Sequence, residues 1–211
     1  MNVEVLHKDW LKLIKKYTDD KFLVESLWQT IVKNYSGKSR YYHNLTHIDA
    51  MLKLAEENKE QIIDINLLLF AIWFHDIIYK SSKKNNEEKS AEFATAIFRK
   101  LSFKETQIKH ISELIISTKK HQIILHKNMD NAFLLDFDLS ILGQNWNIYK
   151  VYIQNIRKEY KLYPNFLYNS GRKNVLESFL NRKTLFFTEK YQDLFEIKAR
   201  ENLSKEIKLL S

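Results

Sequence analysis

The sequence predicts an all-α chain, a single domain of about ten helices. Three observations carry this expectation. Across 211 residues there are only three glycines and one proline, too few for the many turns of a sandwich or barrel. Apolar residues recur at helical spacing along almost the whole chain. No internal repeat, low-complexity linker or shift in composition divides it, so residues 1–211 read as one unit. A hydrophobic share of 45% and an aromatic share of 13% are globular values, and the length is ample for a buried core.

The elements follow in order. Trp10, Leu11, Leu13, Ile14 and Tyr17 mark a first helix. Asp19 or Asp20 is a candidate N-cap for a second, with Phe22, Leu23, Leu27, Ile31 and Tyr35 on one face. Gly37 falls where a residue just past a helix end would sit. A third helix runs over about 44–58, and Asp64 opens a fourth that is apolar nearly all round and therefore central. After the polar loop KSSKKNN at 80–86, Glu87 and Glu88 open a helix reaching about 101, with its acids well placed in the first turn. Further helices are expected over about 105–119, 132–142 (stopped by Gly143), 146–160, 173–181 and 190–210. A loop lies at 121–128, and Pro164 sits in a connection.

Composition also removes mechanisms. Gly37, Gly143 and Gly171 stand far apart, so no glycine-rich dinucleotide or phosphate loop can be written, and no G-x-S-x-G elbow. With no cysteine there is no disulfide, thiolate nucleophile, iron–sulfur cluster or cysteine-ligated zinc. The formal charge of +8 favours anionic partners, although a lysine-rich surface without a specific target gives the same number. The first residues are amphipathic and charged from the fourth onward, unlike a secretory signal. The longest apolar run, 67–74, is far shorter than the ~20 residues of a membrane span. A soluble, cytoplasmic chain is the expectation.

Four of the seven histidines stand where a metal site would use them: His43, His47, His75 and His121. His43 and His47 are i, i+4 at the start of a helix, so both rings can point to one spot. His75 and Asp76 close the most apolar run, and Asp136 and Asp138 interrupt the apolar string FLLDFDLSILG. Such groups are costly in apolar surroundings unless paired or metal-bound. One shared metal would account for all of them. His7, His110 and His126 lack that context and read as surface residues.

The order H…HD…D resembles the HD-domain superfamily of metal-dependent phosphohydrolases. Beyond that signature, SRYYHNLTHI, AIWFHDIIYK, NNEEKSAEFA, STKKH, LLDFDLSILG, IRKEY and ARENLSKEI resemble one family of small single-domain HD proteins, over about 40–210. YHNLTHI and FDLS are also similar to metal-site strings of the cyclic-nucleotide phosphodiesterases. Lys80 departs from the pattern, which carries an acidic residue there.

The resemblance implies a metal core over about 40–142, with helices of 145–210 packed on it. It implies His47, His75, Asp76 and Asp138 as metal ligands, with Asp136 a substitute for Asp138, and His43 as a general acid. His121, with Asp136, marks the place of a possible second ion or a supporting contact. Asp76 would also hold the attacking water. Glu87 is either a catalytic carboxylate or a helix-opening acid. Arg40, Lys119, Arg157, Lys161 and Arg172 are the candidate phosphate contacts; only Arg40 and Lys119 sit beside motif residues, and the others otherwise read as solvated charges. Tyr149, Tyr152, Tyr160, Tyr163 and Tyr168 are either core and rim or the lining of a base-stacking cleft.

Imidazole and carboxylate ligands suit Mn, Fe, Co, Ni or Zn before Mg, and such an ion can lower the pKa of water from 15.7 to as little as ~7. The implied activity is hydrolysis of a phosphate mono- or diester, a small substrate such as a nucleotide. Two other readings stay open: a diiron oxygenase of the HD fold, and a non-catalytic HD module binding nucleotides or nucleic acid. No base-reading motif supports nucleic acid.

Overall fold

In a computed structural model that describes residues 2–125 and 128–210, the chain is all-helical, as its composition requires. Ten α-helices are present among the described residues, and no strand. They are α1 (Val3–Ile14), α2 (Lys21–Tyr35), α3 (Leu45–Glu57), α4 (Ile65–Phe74), α5 (Asn86–Lys100), α6 (Glu105–Ser117), α7 (Met129–Leu139), α8 (Trp146–Glu159), α9 (Asn165–Leu180) and α10 (Glu189–Leu209). No helix among these residues is long and apolar enough to cross a membrane.

Short polar side chains set the helix starts. Asp20, Asn44, Asp64, Asn128 and Thr188 each accept a hydrogen bond from a backbone N–H in the first turn that follows, satisfying donors that a helix end leaves open. Asp64 also fixes where the central helix begins, because the buried Asp130 at the head of α7 accepts from the Ile63 and Asp64 amides at 2.7 and 2.9 Å. α4 then runs buried along nearly its whole length and packs on α3, α5, α6 and α7. It ends on His75, whose N–H still bonds the Ala71 carbonyl. One continuous hydrophobic core reaches from Leu6 of α1 to Leu203 of α10.

Three expectations are corrected. Phe22 is 84% exposed, because it lies about 140° round the helix from Leu27 and so off the buried face. α9 starts at Asn165 rather than near 173, directly behind Pro164, whose fixed φ suits a helix start. α7 starts three residues early and gives way to a 3-10 turn at Ser140–Gly143. The predicted loop at 121–128 includes His126, which lies outside the described residues, as does Met1. His7 stacks on Trp28 with ring centroids 4.8 Å apart, and His110 meets the Asn128 amide, so both are packing residues.

Gly143 is a close-approach glycine: a Cβ there would overlap the Cβ and ring of Phe195 on α10. Gly143→Ala is therefore expected to destabilise the fold by about 1–3 kcal/mol through overpacking, read as a lower denaturation midpoint at unchanged m-value.

Candidate metal centre

The start of one helix, the segment before it and the end of another meet at the site. The segment before α3 carries His43, the first turn of α3 carries His47, and the end of α4 carries His75 and Asp76. Among the described residues, ligand atoms of the buried His47, His75 and Asp76 all lie within 4.8 Å of one another, a group that can hold a metal ion.

The ring orientations suit that task. His75 Nδ1 donates to the Ile72 carbonyl at 2.9 Å, which fixes the neutral tautomer with its lone pair on Nε2. That Nε2 lies 3.3 Å from His47 Nε2 and 3.3 Å from Asp76 Oδ2. Two donors about 2.1 Å from one ion stand about 3.0–3.4 Å apart at octahedral to tetrahedral angles. The C-terminal end of α4 adds a partial negative charge, favourable to a cation.

Asp138 on α7 closes the far side. Its Oδ1 is 3.2 Å from His47 Nε2, and its Oδ2 is 3.0 Å from His121 Nε2. His121 holds a left-handed backbone, φ 45°, which opposes a Cβ by about 1–2 kcal/mol. Arg182 keeps it there, donating to the His121 and Lys120 carbonyls, each at 2.8 Å.

The electrostatics are those of a cation site. Burial works against the charge of Asp76, but the His75 and His43 charges and the His75 hydrogen bond hold its carboxyl well below the usual range. Burial likewise opposes Asp138, and hydrogen bonds from His121 and His47 outweigh it. Burial would lower His75, yet the Asp76 charge and hydrogen bond and the Asp138 charge push it up to about 9. A buried and a largely buried carboxylate favour positive charge, supplied by protons or by a metal in their place.

His43 is held separately. Its Nδ1 meets Glu159 Oε2 at 2.6 Å, and its ring stacks on Tyr79 with centroids 4.2 Å apart. Glu159, at the end of α8, is buried; its Oε1 accepts from the amides of Tyr41, Tyr42 and His43 at 2.7–3.0 Å. Burial opposes the imidazolium, but the Asp76 charge and the Glu159 bond raise His43. Support for His43 thus comes from α8, outside residues 40–142. The string IRKEY was the only sign of it in the sequence.

The site opens on a cavity of about 500 Å³ that His43, His121 and Asp138 line at one side, within the usual size for a small-molecule site. Tyr152, Tyr160, Tyr163 and Tyr168 form much of the remaining wall, while Tyr149 is fully buried and donates to Glu206. Lys83 and Lys84, in the exposed loop before α5, stand at this cavity. His47 faces a separate, smaller cavity of about 310 Å³.

Several expected roles are reassigned by these contacts. Asp136 points away from the ion site: its carboxylate accepts from the Phe187 and Thr188 amides and the Thr188 hydroxyl at 2.7–2.9 Å, anchoring the start of α10. Residues two apart on a helix face about 200° apart, so only one of Asp136 and Asp138 can face the ion. Arg40 spends its guanidinium on the carbonyls of His43, Asp76 and Ile77, at 2.7–3.0 Å, between the rings of Tyr35 and Tyr79. It thus clamps the His43 and Asp76 backbones together and has no geometry for a phosphate. Arg157 binds the Tyr160 and Tyr163 carbonyls and Asn165. Lys119 pairs with Glu88. Glu87, in the first turn of α5, is half-buried; burial raises its carboxyl and the Asp76 charge adds to this, but it does not line the cavity.

A comparison with protein-family models, with curated proteins and with solved structures yields no match to this chain.

Proposed function

We propose that the chain is a metal-dependent phosphohydrolase of the HD type, acting on a small phosphate mono- or diester such as a nucleotide. The observation that carries this reading is the buried His47/His75/Asp76 group beside Asp138, which together with His43 lines a tyrosine-walled cavity. His47, His75, Asp76 and Asp138 would hold the ion, and this donor set favours Mn, Fe, Co, Ni or Zn over Mg. A bound divalent ion supplies a water acidic enough to act near neutral pH and screens phosphoryl charge.

The chain's own residues supply the rest. His43 keeps its proton because Glu159 neutralises it, and its Nε2 is free to give that proton to a leaving oxygen. Lys83 and Lys84 bring positive charge to the cavity where a phosphoryl group is bound. The tyrosines exclude water from the reacting atoms and offer faces for a flat group. His121, on the second oxygen of Asp138, is the residue that a second ion would recruit.

The test combines metal analysis of purified protein with assays on p-nitrophenyl phosphate and bis(p-nitrophenyl) phosphate. Bound transition metal and turnover that EDTA abolishes and Mn²⁺ or Co²⁺ restores are expected. Two irons with oxygen-dependent turnover would favour the oxygenase reading instead. Nucleotide binding with no hydrolysis under any metal would make the chain a binding module.

A further inference from the structure

We infer that Arg172 is a specificity-determining residue: its free Nη1 donates to an acceptor on a flat ring of the substrate, in space that Gly171 keeps open. This rests on the proposed phosphohydrolase reading only for the word substrate; the ligand site itself is argued from α9.

Arg172 is locked before any ligand arrives. Its Nε and Nη2 donate to the two carboxylate oxygens of Glu206 at 2.7 and 3.1 Å, and Nη2 also meets the Tyr152 hydroxyl at 3.3 Å. Glu206 is fully buried, and the guanidinium lies over the Tyr152 ring, 5.3 Å from its centroid. Nη1 has no protein partner, yet it is not sealed away from solvent, and Arg172 lines the cavity. A planar, pre-oriented guanidinium with one open edge suits recognition of a carbonyl or ring nitrogen.

Two neighbours on the same helix point to a ligand independently. Tyr168, one turn earlier, also lines the cavity; it is 7% exposed, and its hydroxyl is buried with no hydrogen-bond partner. Buried polar atoms are rarely left so, and this one marks an unsatisfied spot in the cavity wall. Gly171 sits inside α9 in ordinary helical conformation, where glycine is unfavourable. A Cβ there would meet nothing within 4 Å, although Gly171 lines the same cavity. Glycine is thus kept at the one lining position where its missing side chain widens the cavity.

The spacing fits a nucleoside-type ligand. Phe179, near the other end of α9, lies 5.7 Å from the His121 ring, next to Asp138. Arg172 precedes it by two turns, about 10 Å along the axis. The donors thus stand about two turns along α9 from the wall that meets His121, so that a ring and a phosphoryl group joined through a sugar would occupy different parts of the cavity. Tyr152 and Ile156 on α8 and Tyr160 at its C-terminal cap also line the cavity, the two tyrosines offering flat ring faces.

Nucleosides carry the ring but no phosphate, so calorimetric titration in EDTA reads this end of the cavity alone. Uridine, cytidine, guanosine and adenosine are titrated against ribose 5-phosphate as the comparison that lacks a base. At least one nucleoside is expected to bind, and ribose 5-phosphate not to compete with it. Gly171→Leu, melting no lower than the natural protein, is expected to weaken that binding at least tenfold. The paired exchange Arg172→Met with Glu206→Gln, which leaves no unpaired buried charge, is expected to do the same; if it fails to fold, Val175→Trp at the same cavity replaces it. No nucleoside binding, or affinities unchanged in these variants, overturns the inference. Variant-sensitive nucleoside binding in a protein that hydrolyses no phosphoester leaves the inference standing and sinks the proposed function. Equal turnover of ribose 5-phosphate and nucleotides in all variants does the reverse.

Discussion

Replacing Asp76 with asparagine is expected to strip the protein of bound transition metal and to lower phosphoester turnover by more than about 100-fold, since loss of even an outer partner of a ligand costs about 10–100-fold. The exchange keeps the volume and the backbone: Arg40 still holds the residue-76 carbonyl at 2.7 Å. Only the charge is lost, and His75 loses the neighbour that most favours its imidazolium.

The apoprotein provides a second readout. His75 is raised from 6.5 to about 9, so its contribution is fully present below pH 6.5 and fades as pH rises through about 9. Asp76 is lowered from 3.8, so its contribution is present above pH 3.8 and is lost only in stronger acid. In EDTA the melting-temperature gap between natural protein and Asp76→Asn should be widest between about pH 4 and 6.5 and close above about 9. Metal content and turnover that match the natural protein would remove the ion from His47, His75 and Asp76.

The ion group was legible because its members break local rules. His75 and Asp76 end an apolar helix, and His47 repeats His43 at one turn, so charge in a place that burial forbids pointed to a shared partner. Asp136 breaks the same rule for another reason, since three donors from the segment before α10 absorb it. Nothing local in FLLDFDLSILG separates a carboxylate that anchors a chain from one that meets His121. That distinction depends on what packs against each face of α7.

Cations were legible as charge but not as direction. Arg40 adjoins His43 in sequence, and its long side chain reaches three carbonyls instead of solvent. Arg172 read as a candidate phosphate contact or a solvated charge, because its partner, Glu206, lies 34 residues on. Glycine scarcity argued against loop-built phosphate sites, but which glycine mattered depended on what surrounds it: Phe195 at Gly143, open cavity at Gly171.

The largest effect away from the ion is expected at His43 and the carboxylate of Glu159 that holds it. His43→Asn should lower turnover by about 10²–10⁴, the usual worth of a positioned general acid. Glu159→Gln tests whether the carboxylate positions that acid or merely supports the fold. Glutamine can still accept from the amides of Tyr41, Tyr42 and His43, so the turn before α3 keeps its anchor. What vanishes is the negative charge 2.6 Å from His43 Nδ1, one of the groups that raise the imidazole. His43 should then lose its proton at lower pH, and the alkaline limb of the pH–rate profile should move toward neutrality. The size of the loss should depend on the leaving group. An alkyl phosphoester, whose alkoxide needs a proton, should suffer most, and p-nitrophenyl phosphate, which leaves unprotonated, should be nearly spared. A purely structural Glu159 would lower both substrates alike and leave the profile where it was, because a loosened turn cannot tell one leaving oxygen from another.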